Sequence, residues 1–378
     1  MIENRHLFQT VAKIYTGWGC LAGLGRETAT LGDNCVLVTG RSSMRLSGIL
    51  DRVLALLGSE GISVTLYEDV GQDPTVASVD AIRELAGRTA ADVVIGLGGG
   101  SAMDAAKAAA ALAREEAPTS DFLRTQAPCL PGIPFIAVAT TSGTGAEVTP
   151  NAVITDPEVP LKASLRNGQY LARVAFVDPE TTLPCPPRVT AYSGLDALTQ
   201  AVESFVSIHA TVLTDALAFQ AFCLLNTNVE HAYLHGDDRQ ARTATAYGSL
   251  LSGMALANAR LGAVHGIVHP LGARYGIPHG LACAALLPEV TELNLAFSSD
   301  KYAMLSAEVE GGLVDMLRGL NRRLGIYADF AKYPIPQQDF ALIAEESMQS
   351  GSLKANPKKF STRDVTTVLS AIAALLEK

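Results

Sequence analysis

The pattern of apolar and polar residues changes character about halfway along the chain. In the first half, short runs rich in Val and Ile alternate with stretches of helical spacing, and the runs span 36–40, 63–68, 92–98, 135–141 and 174–179. Apolar residues recur at intervals of three and four from Leu46 to Leu57, which predicts a helix near 47–58, and helices are also expected near 75–88 and 101–114. Strands that alternate with helices indicate a parallel sheet with helices on its faces.

The second half is helical almost throughout. A proline-rich break, LPCPPR (183–188), follows the last strand, and helical spacing then covers 190–209, 212–232 and 238–260, with several more helices towards the C-terminus. A chain of 378 residues exceeds what a single hydrophobic core usually serves. The sequence therefore predicts two domains, an α/β domain over 1–185 and an all-α helical domain over 186–378.

Composition narrows the class of protein. The chain is 48% hydrophobic and 18% charged, which favours a large packed core, and its net charge of −9 argues against nucleic-acid binding. The six cysteines are scattered without a CxxC pair, which suits reduced thiols in a cytoplasm. The N-terminal residues lack the pattern of a signal peptide, and the apolar runs look too short or interrupted to span a bilayer. We therefore expect a cytoplasmic protein with no membrane partner.

A glycine turn stands between a strand and a helix in DVVIGLGGGSAMDAAKA. Gly98, Gly99 and Gly100 allow close approach of the backbone to a ligand, and Ser101 is expected to cap the helix. The free N–H groups at a helix start attract anions, so the turn is a candidate pyrophosphate site. The glycine spacing does not match GxGxxG, and a tight turn into a buried helix would explain these residues equally well.

A second polar segment, TTSGTGAEVTPNAVITD, covers 140–156. Thr140, Thr141, Ser142 and Thr144 supply hydroxyls beside two glycines, a composition that suits a loop around phosphate and nicotinamide amide groups. Taken alone, the segment is equally consistent with a solvated turn.

Carboxylate, amide and imidazole side chains recur in the helical half. Asp196 and Gln200 lie four residues apart, and so do His265 and His269, so each pair shares one face if its segment is helical. His279, between a proline and a glycine, is expected in a pre-shaped turn. Such a set suits Fe²⁺ or Zn²⁺.

A competing pair of imidazoles, His231 and His235, also has a spacing of four. The pair lies near charged residues at a predicted helix end, which favours a solvated position over a metal site.

Five motifs appear in a familiar order: GGGSAMDAAKA, TTSGTGAEVT, VDPETTLPCPP, GLDALTQAVES and VHGIVHPLGARYGIPHG. With them the chain resembles the iron-containing (group III) alcohol dehydrogenase family, from about residue 15 to residue 364. The resemblance implies an N-terminal Rossmann-like domain and a C-terminal helical domain of the dehydroquinate synthase-like architecture, with the cofactor and metal in the cleft between them. It also implies an NAD(P)-dependent alcohol dehydrogenase or aldehyde reductase that forms a homodimer.

The resemblance also assigns roles to residues. It implies that the dinucleotide contacts Gly98, Gly99, Gly100, Ser101, Thr140, Thr141, Thr144 and Lys162. It implies that the metal ligands are Asp196, His265 and His279. His269 would lie beside the substrate and relay the proton of the alcohol oxygen, an effect typically worth roughly 10²–10⁴-fold.

Gln200 departs from this pattern, because the family would place a fourth imidazole there. A glutamine oxygen coordinates more weakly than imidazole. Three outcomes are open: reduced metal affinity, a preference for a harder ion such as Mn²⁺ or Mg²⁺, and no metal at all. We expect a weakly held divalent metal. The alternatives on the same frame are a metal-independent reductase and a dehydroquinate-synthase-like lyase.

Cofactor choice depends on the end of the strand at 36–40. An acidic residue there would bind the ribose 2′-hydroxyl of NAD, but the chain has Gly40 followed by Arg41, Ser42 and Ser43. A cation and two hydroxyls suit a 2′-phosphate. The sequence therefore predicts NADP(H) over NAD(H), with a solvated polar loop as the alternative.

The substrate is the least constrained feature. Asn151, Leu256 and Arg260 are the candidate substrate residues. Helical spacing would place Leu256 and Arg260 on one face of a helix. Arg260 lies five residues before His265 in the sequence. An arginine near the metal would favour a small anionic aldehyde. The alternative is an arginine paired with an acidic residue or buried in an interface.

Overall fold

Six parallel strands form one sheet within residues 10–185 of the computed structural model, which describes residues 6–125, 130–158 and 161–376. The strands of the chain are β1 (Lys13–Thr16), β2 (Asn34–Gly40), β3 (Ser63–Val70), β4 (Val93–Gly98), β5 (Phe135–Ala139), β6 (Asn151–Asp156), β7 (Leu161–Arg166) and β8 (Val174–Val177). The sheet order is β1-β8-β5-β4-β2-β3, and β6 pairs with β7 in a separate antiparallel hairpin.

The helices of this α/β unit are α1 (Leu24–Ala29), α2 (Ser43–Leu46), α3 (Ile49–Ser59), α4 (Val76–Arg88), α5 (Gly100–Ala111) and α6 (Thr119–Thr125). Every residue of β4, β5 and β8 is buried, as expected for strands covered on both faces. The five predicted strands and the three predicted helices are confirmed. Strands β1, β6 and β7 were not predicted, because β1 has only four residues and the hairpin was taken as a continuous loop.

The carboxyl ends of three strands meet at one edge of the sheet. β2 pairs with β4 and β4 pairs with β5, all in parallel, so Gly40, Gly98 and Ala139 end neighbouring strands. β3 lies on the other side of β2 from β4, and the chain therefore reverses its direction across the sheet between β2 and β4. In open α/β sheets a ligand site usually forms at such a point.

The second unit combines the N-terminal segment, through Gln9, with all residues from Pro186 onwards. Its helices are α7 (Pro187–Val206), α8 (Val212–Leu234), α9 (Arg239–Ala259), α10 (Ala263–Tyr275), α11 (His279–Asn294), α12 (Ser299–Ala307), α13 (Leu313–Arg323), α14 (Ile326–Phe330), α15 (Phe340–Ser347) and α16 (Thr362–Leu376). The backbone N–H of Gln9 donates to Oδ1 of Asn258 over 2.7 Å, which explains why the first residues group with the helices. The predicted α/β plus all-α fold class is confirmed.

Local sequence signals explain where the first helices of this unit begin. Pro187 occupies the first turn of α7, where a missing N–H costs nothing. Thr211 and Thr214 form a reciprocal capping box at the start of α8, and Asp238 caps α9 by accepting from the N–H of Ala241 over 2.9 Å. Buried apolar side chains such as Leu198, Phe222 and Ile267 then form one continuous core.

Two segments of this unit, Val212–Leu234 and His279–Phe297, are long and apolar enough to cross a membrane by length and composition. The sequence prediction was that the apolar runs are too short or too interrupted to span a bilayer, and one or two helices of this kind are weak evidence against it. Core helices of globular domains meet the same criterion, and 67% of the apolar window in His279–Phe297 is buried.

Candidate functional site

The glycine turn (Gly98–Gly100) follows β4 and leads directly into α5. Gly98 has φ of +152°, a conformation that side chains rarely adopt. A Cβ on Gly100 would lie 2.8 Å from Cγ2 of Thr144, so only glycine fits without a shift. The backbone thus passes close to the neighbouring loop, and the first N–H groups of the twelve-residue helix α5 are available to an anion.

Ser101 does not cap this helix, contrary to the prediction. Gly99 occupies the N-cap position in an extended conformation, and no side chain caps the helix there. Ser101 is the second residue of α5, and its hydroxyl donates to the carbonyl of Gln72. The helix begins at Gly100, so the capping position lies two residues before Ser101.

The predicted loop at 140–156 packs against the glycine turn over its first half only. The N–H of Thr140 donates to the carbonyl of Gly98 over 3.0 Å, and Thr141 and Thr144 lie beside Gly99 and Gly100. A short 3-10 turn follows at 146–148, and strand β6 begins at 151. The two predicted dinucleotide motifs therefore meet, but residues 151–156 belong to a hairpin rather than to the loop.

Asn151 is the first residue of β6. Its backbone carbonyl accepts a hydrogen bond from Lys107, while its buried side-chain Oδ1 accepts none from any residue that the structure describes. Such an atom is available to a ligand.

Lys107 was not singled out from the sequence. Its side chain is 1% exposed, and its ammonium donates to the carbonyls of Ala146 (2.7 Å), Thr149 (3.0 Å) and Asn151 (2.7 Å). Burial lowers its pKa, and the Asp104 carboxylate opposes that shift from 3.7 Å away. One buried cation thus fastens the loop and the start of β6 to α5. A lone lysine in the alanine-rich stretch 102–112 was the available signal.

The predicted 2′-phosphate residues lie at the carboxyl end of β2 and the start of α2. Nε of Arg41 is 2.6 Å from Oδ1 of Asp69, and both side chains are 70% exposed. Gly40 ends the strand, Ser42 precedes α2 without capping it, and Ser43 begins α2. Lys162 lies in β7, but its side chain falls outside the residues that the structure describes.

Four donors converge in the helical unit. Asp196 comes from the middle of α7, His265 from the first turn of α10, and His279 and Cys283 from successive turns of α11. One ligand atom from each lies within 4.8 Å of every other. We call these four residues the metal cluster. Cys283 was not foreseen, although its spacing of four from His279 puts both on one face of a helix.

The distances within the metal cluster resemble those of a coordination shell. Oδ1 of Asp196 is 3.3 Å from Nε2 of His265 and 3.7 Å from Nε2 of His279. Sγ of Cys283 is 3.8 Å from Nε2 of His265. Tetrahedral zinc with bonds of about 2.0–2.3 Å would hold its donor atoms about 3.3–3.8 Å apart.

One oxygen of the buried Asp196 carboxylate, Oδ1, accepts no hydrogen bond of good geometry from the described residues. Asp196, His265 and Cys283 are all buried, and His279 is 38% exposed on its side chain. A buried carboxylate oxygen directed at two imidazoles is a donor that a divalent cation would satisfy. The residues therefore fit Fe²⁺ or Zn²⁺.

Glu203 fixes the orientation of His265. Oε2 of Glu203 lies 2.6 Å from Nδ1 of His265, and Oε1 accepts from the N–H of Val264 over 2.6 Å at the start of α10. Since Nδ1 carries the proton in this bond, the lone pair on Nε2 faces the other donors. Glu203 was missed, although its spacing of seven from Asp196 places both on one side of α7.

The electrostatics of the metal cluster are strongly coupled. Burial opposes charge on His265, but Cys283, Asp196 and Glu203 together raise the pKa of this imidazole well above its ordinary value. Burial also opposes charge on Asp196, yet His279 and His265 hold its pKa below the ordinary value. Burial raises the pKa of the Cys283 thiol to about 12.

Gln200 and His269 lie beside the metal cluster on the same helices as its members. The Oε1 atom of Gln200 accepts from the hydroxyl of Ser252 over 3.2 Å. His269 is half-buried, one helical turn after His265, and its ring centre is 6.0 Å from that of His279. His269 lies in the middle of α10, and His279 is the first residue of α11 rather than part of the pre-shaped turn that was expected.

The predicted geometry of the substrate residues is wrong. Helix α9 ends at Ala259, and Arg260 has φ of +65°, so Leu256 and Arg260 do not share a helix face. Leu256 is buried, whereas Arg260 is exposed. The carbonyl of Arg260 accepts from the hydroxyl of Ser204, two turns beyond Asp196 on α7. Burial lowers the pKa of His209, and the positive charge of the Arg260 side chain lowers it further.

The pair of histidines near the end of α8 has a different environment. Nε2 of His231 is 3.0 Å from Oδ2 of Asp238, and the rings of His231 and His235 are 4.7 Å apart. Both residues are exposed, which agrees with the predicted solvated position.

Comparison with known proteins identifies the family. A family model described as iron-containing alcohol dehydrogenase matches residues 12–179, and one described as the C-terminal part of the Fe-containing alcohol dehydrogenase family matches residues 190–373. The NADPH-dependent butanol dehydrogenase of Clostridium saccharobutylicum is 33% identical over an alignment of 376 positions that covers 95% of this chain and 96% of that protein.

Two further relatives extend the comparison. The sulfoacetaldehyde reductase of Bilophila wadsworthia (strain 3_1_6) is 32% identical over an alignment of 383 positions that covers 97% of each chain. The crystal structure of a 1,3-propanediol oxidoreductase superposes with a TM-score of 0.93 at 30% identity, covering 98% of this chain and 100% of that one. The resemblance seen in the five sequence motifs is thereby confirmed, and the chain belongs to the iron-containing alcohol dehydrogenase family of NAD(P)-dependent oxidoreductases.

Proposed function

We propose that this protein catalyses metal-assisted, reversible hydride transfer between NADP(H) and a small alcohol/aldehyde pair. The observation that carries the proposal is the metal cluster, in which a buried carboxylate oxygen faces two imidazoles and accepts no hydrogen bond of good geometry from any described residue. The α/β unit would bind the dinucleotide at the glycine turn, and the helical unit would bind metal and substrate.

Asp196, His265 and His279 would hold the divalent metal. When bound, it supplies Lewis-acid polarisation of the carbonyl group. In the oxidation direction, a bound nicotinamide would supply the acceptor for the hydride released when the carbinol C–H bond breaks, and the hydroxyl proton would pass by way of His269 to solvent. His269 accepts that proton on a ring nitrogen and returns it during reduction.

Replacement of His269 by alanine tests the division of roles. We expect a kcat lowered by roughly 10²–10⁴-fold, with unchanged metal content and NADPH affinity. His231→Ala, on an exposed helix end, is the matched control and should leave all three quantities unchanged. Loss of metal from the His269 variant would make this residue a ligand and contradict the proposal.

Preference for NADP(H) rests on Gly40 at the end of β2 and on the cation of Arg41. Arg41 and Asp69 form an exposed ion pair. Such a pair is weak, so the Arg41 guanidinium can leave the carboxylate and bind a 2′-phosphate instead. Measured kcat/KM should favour NADPH over NADH, and Gly40→Asp should shift the ratio towards NADH. A higher kcat/KM with NADH in the unmodified protein would contradict the preference.

The metal-independent reductase and the lyase are separated by two measurements. A lyase regenerates its nicotinamide, so it shows no net change in nicotinamide absorbance over many turnovers. A metal-independent reductase keeps its full activity after chelation, with no metal found by elemental analysis. The proposed enzyme oxidises its reduced cofactor in proportion to aldehyde consumed and needs its metal.

A small anionic aldehyde is the narrower substrate proposal. Its support is the likeness to a sulfoacetaldehyde reductase, which stands beside a likeness to a butanol dehydrogenase. A panel of neutral aldehydes and carboxylate or sulfonate analogues should be compared by kcat/KM, in the unmodified protein and in Arg260→Ala. An equal loss for both series, or no loss, would exclude Arg260 as the group that recognises substrate charge.

We also propose a homodimer in the cytoplasm. Support for self-association comes from Leu7, Val212 and Leu213, which are 83%, 85% and 61% exposed and line one groove. Val212→Asp should shift sedimentation towards the monomer. Leu46→Asp, equally exposed at 85% but in the other unit, should not. A monomer in the unmodified protein would contradict the proposal.

A further inference from the structure

We propose that Cys283 is the fourth metal ligand of this chain and takes the place that a residue at position 200 would otherwise fill. The proposal deepens the proposed function and rests on it for the presence of a metal. The Cys283 side chain is fully buried on α11, one turn beyond His279.

Distances support four-fold coordination by this set. Sγ of Cys283 lies 3.8 Å from Nε2 of His265, and that nitrogen lies 3.3 Å from Oδ1 of Asp196. Both separations match the edges of a tetrahedral site whose bonds to nitrogen and oxygen are about 2.0–2.2 Å and to sulfur about 2.3 Å. The remaining pairs of ligand atoms lie within 4.8 Å of one another, so some of them would have to move closer to bind one ion.

The position of Gln200 agrees with this assignment. Its Oε1 atom, the only atom of this side chain that could coordinate a metal, lies 3.2 Å from the hydroxyl of Ser252 in a buried setting, and that hydroxyl also lies 2.9 Å from the carbonyl of Ser249. One hydroxyl proton serves both acceptors, so coordination by Gln200 would compete with a shared hydrogen bond. Sγ of Cys283 contacts Nε2 of His265, which is itself a member of the metal cluster.

Charge also favours the thiolate. On binding, the S–H bond of Cys283 breaks, its proton leaves to solvent, and the sulfur lone pair forms the bond to the metal. Asp196 and the thiolate then carry two negative charges against the two positive charges of the ion, while both imidazoles stay neutral. A soft thiolate donor selects Zn²⁺, Fe²⁺ or Co²⁺ over Mn²⁺ and Mg²⁺. Tight retention of a thiophilic metal is therefore expected, instead of the weak retention that Gln200 alone would give.

X-ray absorption of the chelated and Zn²⁺-reconstituted protein tests the ligand directly. One sulfur at about 2.3 Å and a remainder of nitrogen and oxygen neighbours is the expected shell. A shell of nitrogen and oxygen alone in the unmodified protein would overturn the proposal, and this measurement depends on no variant.

Variants then identify the sulfur. With Co²⁺ in place of Zn²⁺, a thiolate-to-cobalt charge-transfer band should appear in the near ultraviolet. The band should vanish in Cys283→Ser, with at least a tenfold loss of metal affinity, and persist in Cys35→Ser, whose thiol is equally buried in β2. It should also persist in Gln200→Ala. A band that survives in Cys283→Ser, or disappears in Gln200→Ala, would overturn the assignment.

The failure of the inference is distinguishable from the failure of the proposed function. Sulfur coordination with activity that is indifferent to metal removal would sustain Cys283 as a ligand and refute metal-assisted catalysis. Metal-dependent activity without a sulfur neighbour would sustain metal-assisted catalysis and refute Cys283 as a ligand.

Discussion

The glycine turn of the α/β unit and the metal cluster of the helical unit use different parts of the chain. The glycine turn presents backbone N–H groups, and its requirement is the absence of side chains at Gly98, Gly99 and Gly100. The metal cluster presents one atom from each of four side chains on three helices, α7, α10 and α11. The first site should therefore be sensitive to an added methyl group and the second to a single exchanged atom.

The two sites also differ in what supports them. Lys107 ties the loop beside the glycine turn through three backbone carbonyls. Glu203 supports the metal cluster by orienting one ligand side chain, His265. Support by backbone contacts fixes the path of the chain, whereas support by a side chain fixes a tautomer and a ring orientation.

The largest expected effect follows from exchange of one oxygen of Asp196. Asp196→Asn keeps the shape of the side chain but removes the negative charge from a buried site. We expect loss of metal affinity beyond the roughly 10–100-fold that removal of an outer-shell partner costs, with NADPH binding unchanged. Elemental analysis after gel filtration and calorimetric titration with NADPH measure the two quantities. Retention of one full equivalent of metal by Asp196→Asn would contradict the role of this carboxylate in the metal cluster.

Glu203→Gln should give the next largest effect. A neutral amide weakens the bond to Nδ1 of His265, so metal affinity should fall by about 10–100-fold. Competition with a chelator of known affinity measures this change. Glu346→Gln, in an exposed pair with Arg274, is the control for loss of a carboxylate and should bind metal normally. Equal affinities in all three proteins would show that Glu203 does not orient the ligand.

Gly100→Ala tests the backbone-built site. The added Cβ would lie 2.8 Å from Cγ2 of Thr144, so either the turn or the loop must move. A shift that weakens one anion contact by about 1.4 kcal/mol raises the dissociation constant tenfold. Gly58→Ala, with open space around its Cβ in α3, is the control. Metal content should be normal in both variants, and an unchanged NADPH affinity in Gly100→Ala would contradict the role of the turn.

Asp329→Asn extends the comparison to stability at the start of α7. The carboxylate accepts from the hydroxyl of Tyr192 over 2.7 Å and lies 2.8 Å from Arg188. Its burial opposes ionisation, but Lys332, Tyr192 and Arg188 hold its pKa below the ordinary value. Loss of these charged contacts should cost about 1–3 kcal/mol at pH 7.

The sign of the pH dependence follows from that depressed pKa. The contribution of Asp329 is complete above the unfolded carboxyl pKa of about 3.9 and is lost as the pH falls through the folded value. Urea denaturation should show a difference between the two proteins that is constant near neutral pH and shrinks in acid. A difference that grows in acid would contradict the assignment.

The smallest effect on stability is expected at Ala90, where the substitution changes only the strain of the backbone conformation. Ala90 follows α4 with φ of +48°, and the N–H of Ala91 donates to the carbonyl of Ala86 over 2.9 Å, as in a helix C-cap that favours glycine. Ala90→Gly should raise the free energy of unfolding by about 0.5–1 kcal/mol. Ala113→Gly, in a turn where the backbone is not left-handed, should give no gain. A destabilised Ala90→Gly would show that chain entropy outweighs the relieved strain.

The sequence predicted the fold class, five of the eight described strands and the positions of six of the sixteen described α-helices, because buried parallel strands and amphipathic helices each leave a regular apolar pattern. The alternation of β2, β3, β4 and β5 with helices is an example. Strand β1 was missed since four residues, two of them polar, are too few to show a period. The β6–β7 hairpin was missed because its glycine- and threonine-rich approach reads as a loop.

Prediction of the candidate site succeeded where the motifs assign a role to a residue and failed where the role depends on how the helices pack or end. Asp196, His265 and His279 could be named from motifs, and the structure brings them together. Cys283 and Glu203 share helix faces with known members, but nothing in their types marks them as partners before the helices pack. Arg260 failed for a local reason, since a positive φ ended the helix on which its placement depended.

The buried ammonium of Lys107 has a consequence for binding entropy. Because its bonds to the carbonyls of Ala146, Thr149 and Asn151 require no ligand, the 146–151 segment is held in one conformation before any dinucleotide arrives. Ordering a loop upon association normally reduces affinity by the freedom that its residues lose. Here that ordering would belong to folding, so a dinucleotide bound beside this segment would meet a preorganised surface and would lose less affinity to loop ordering.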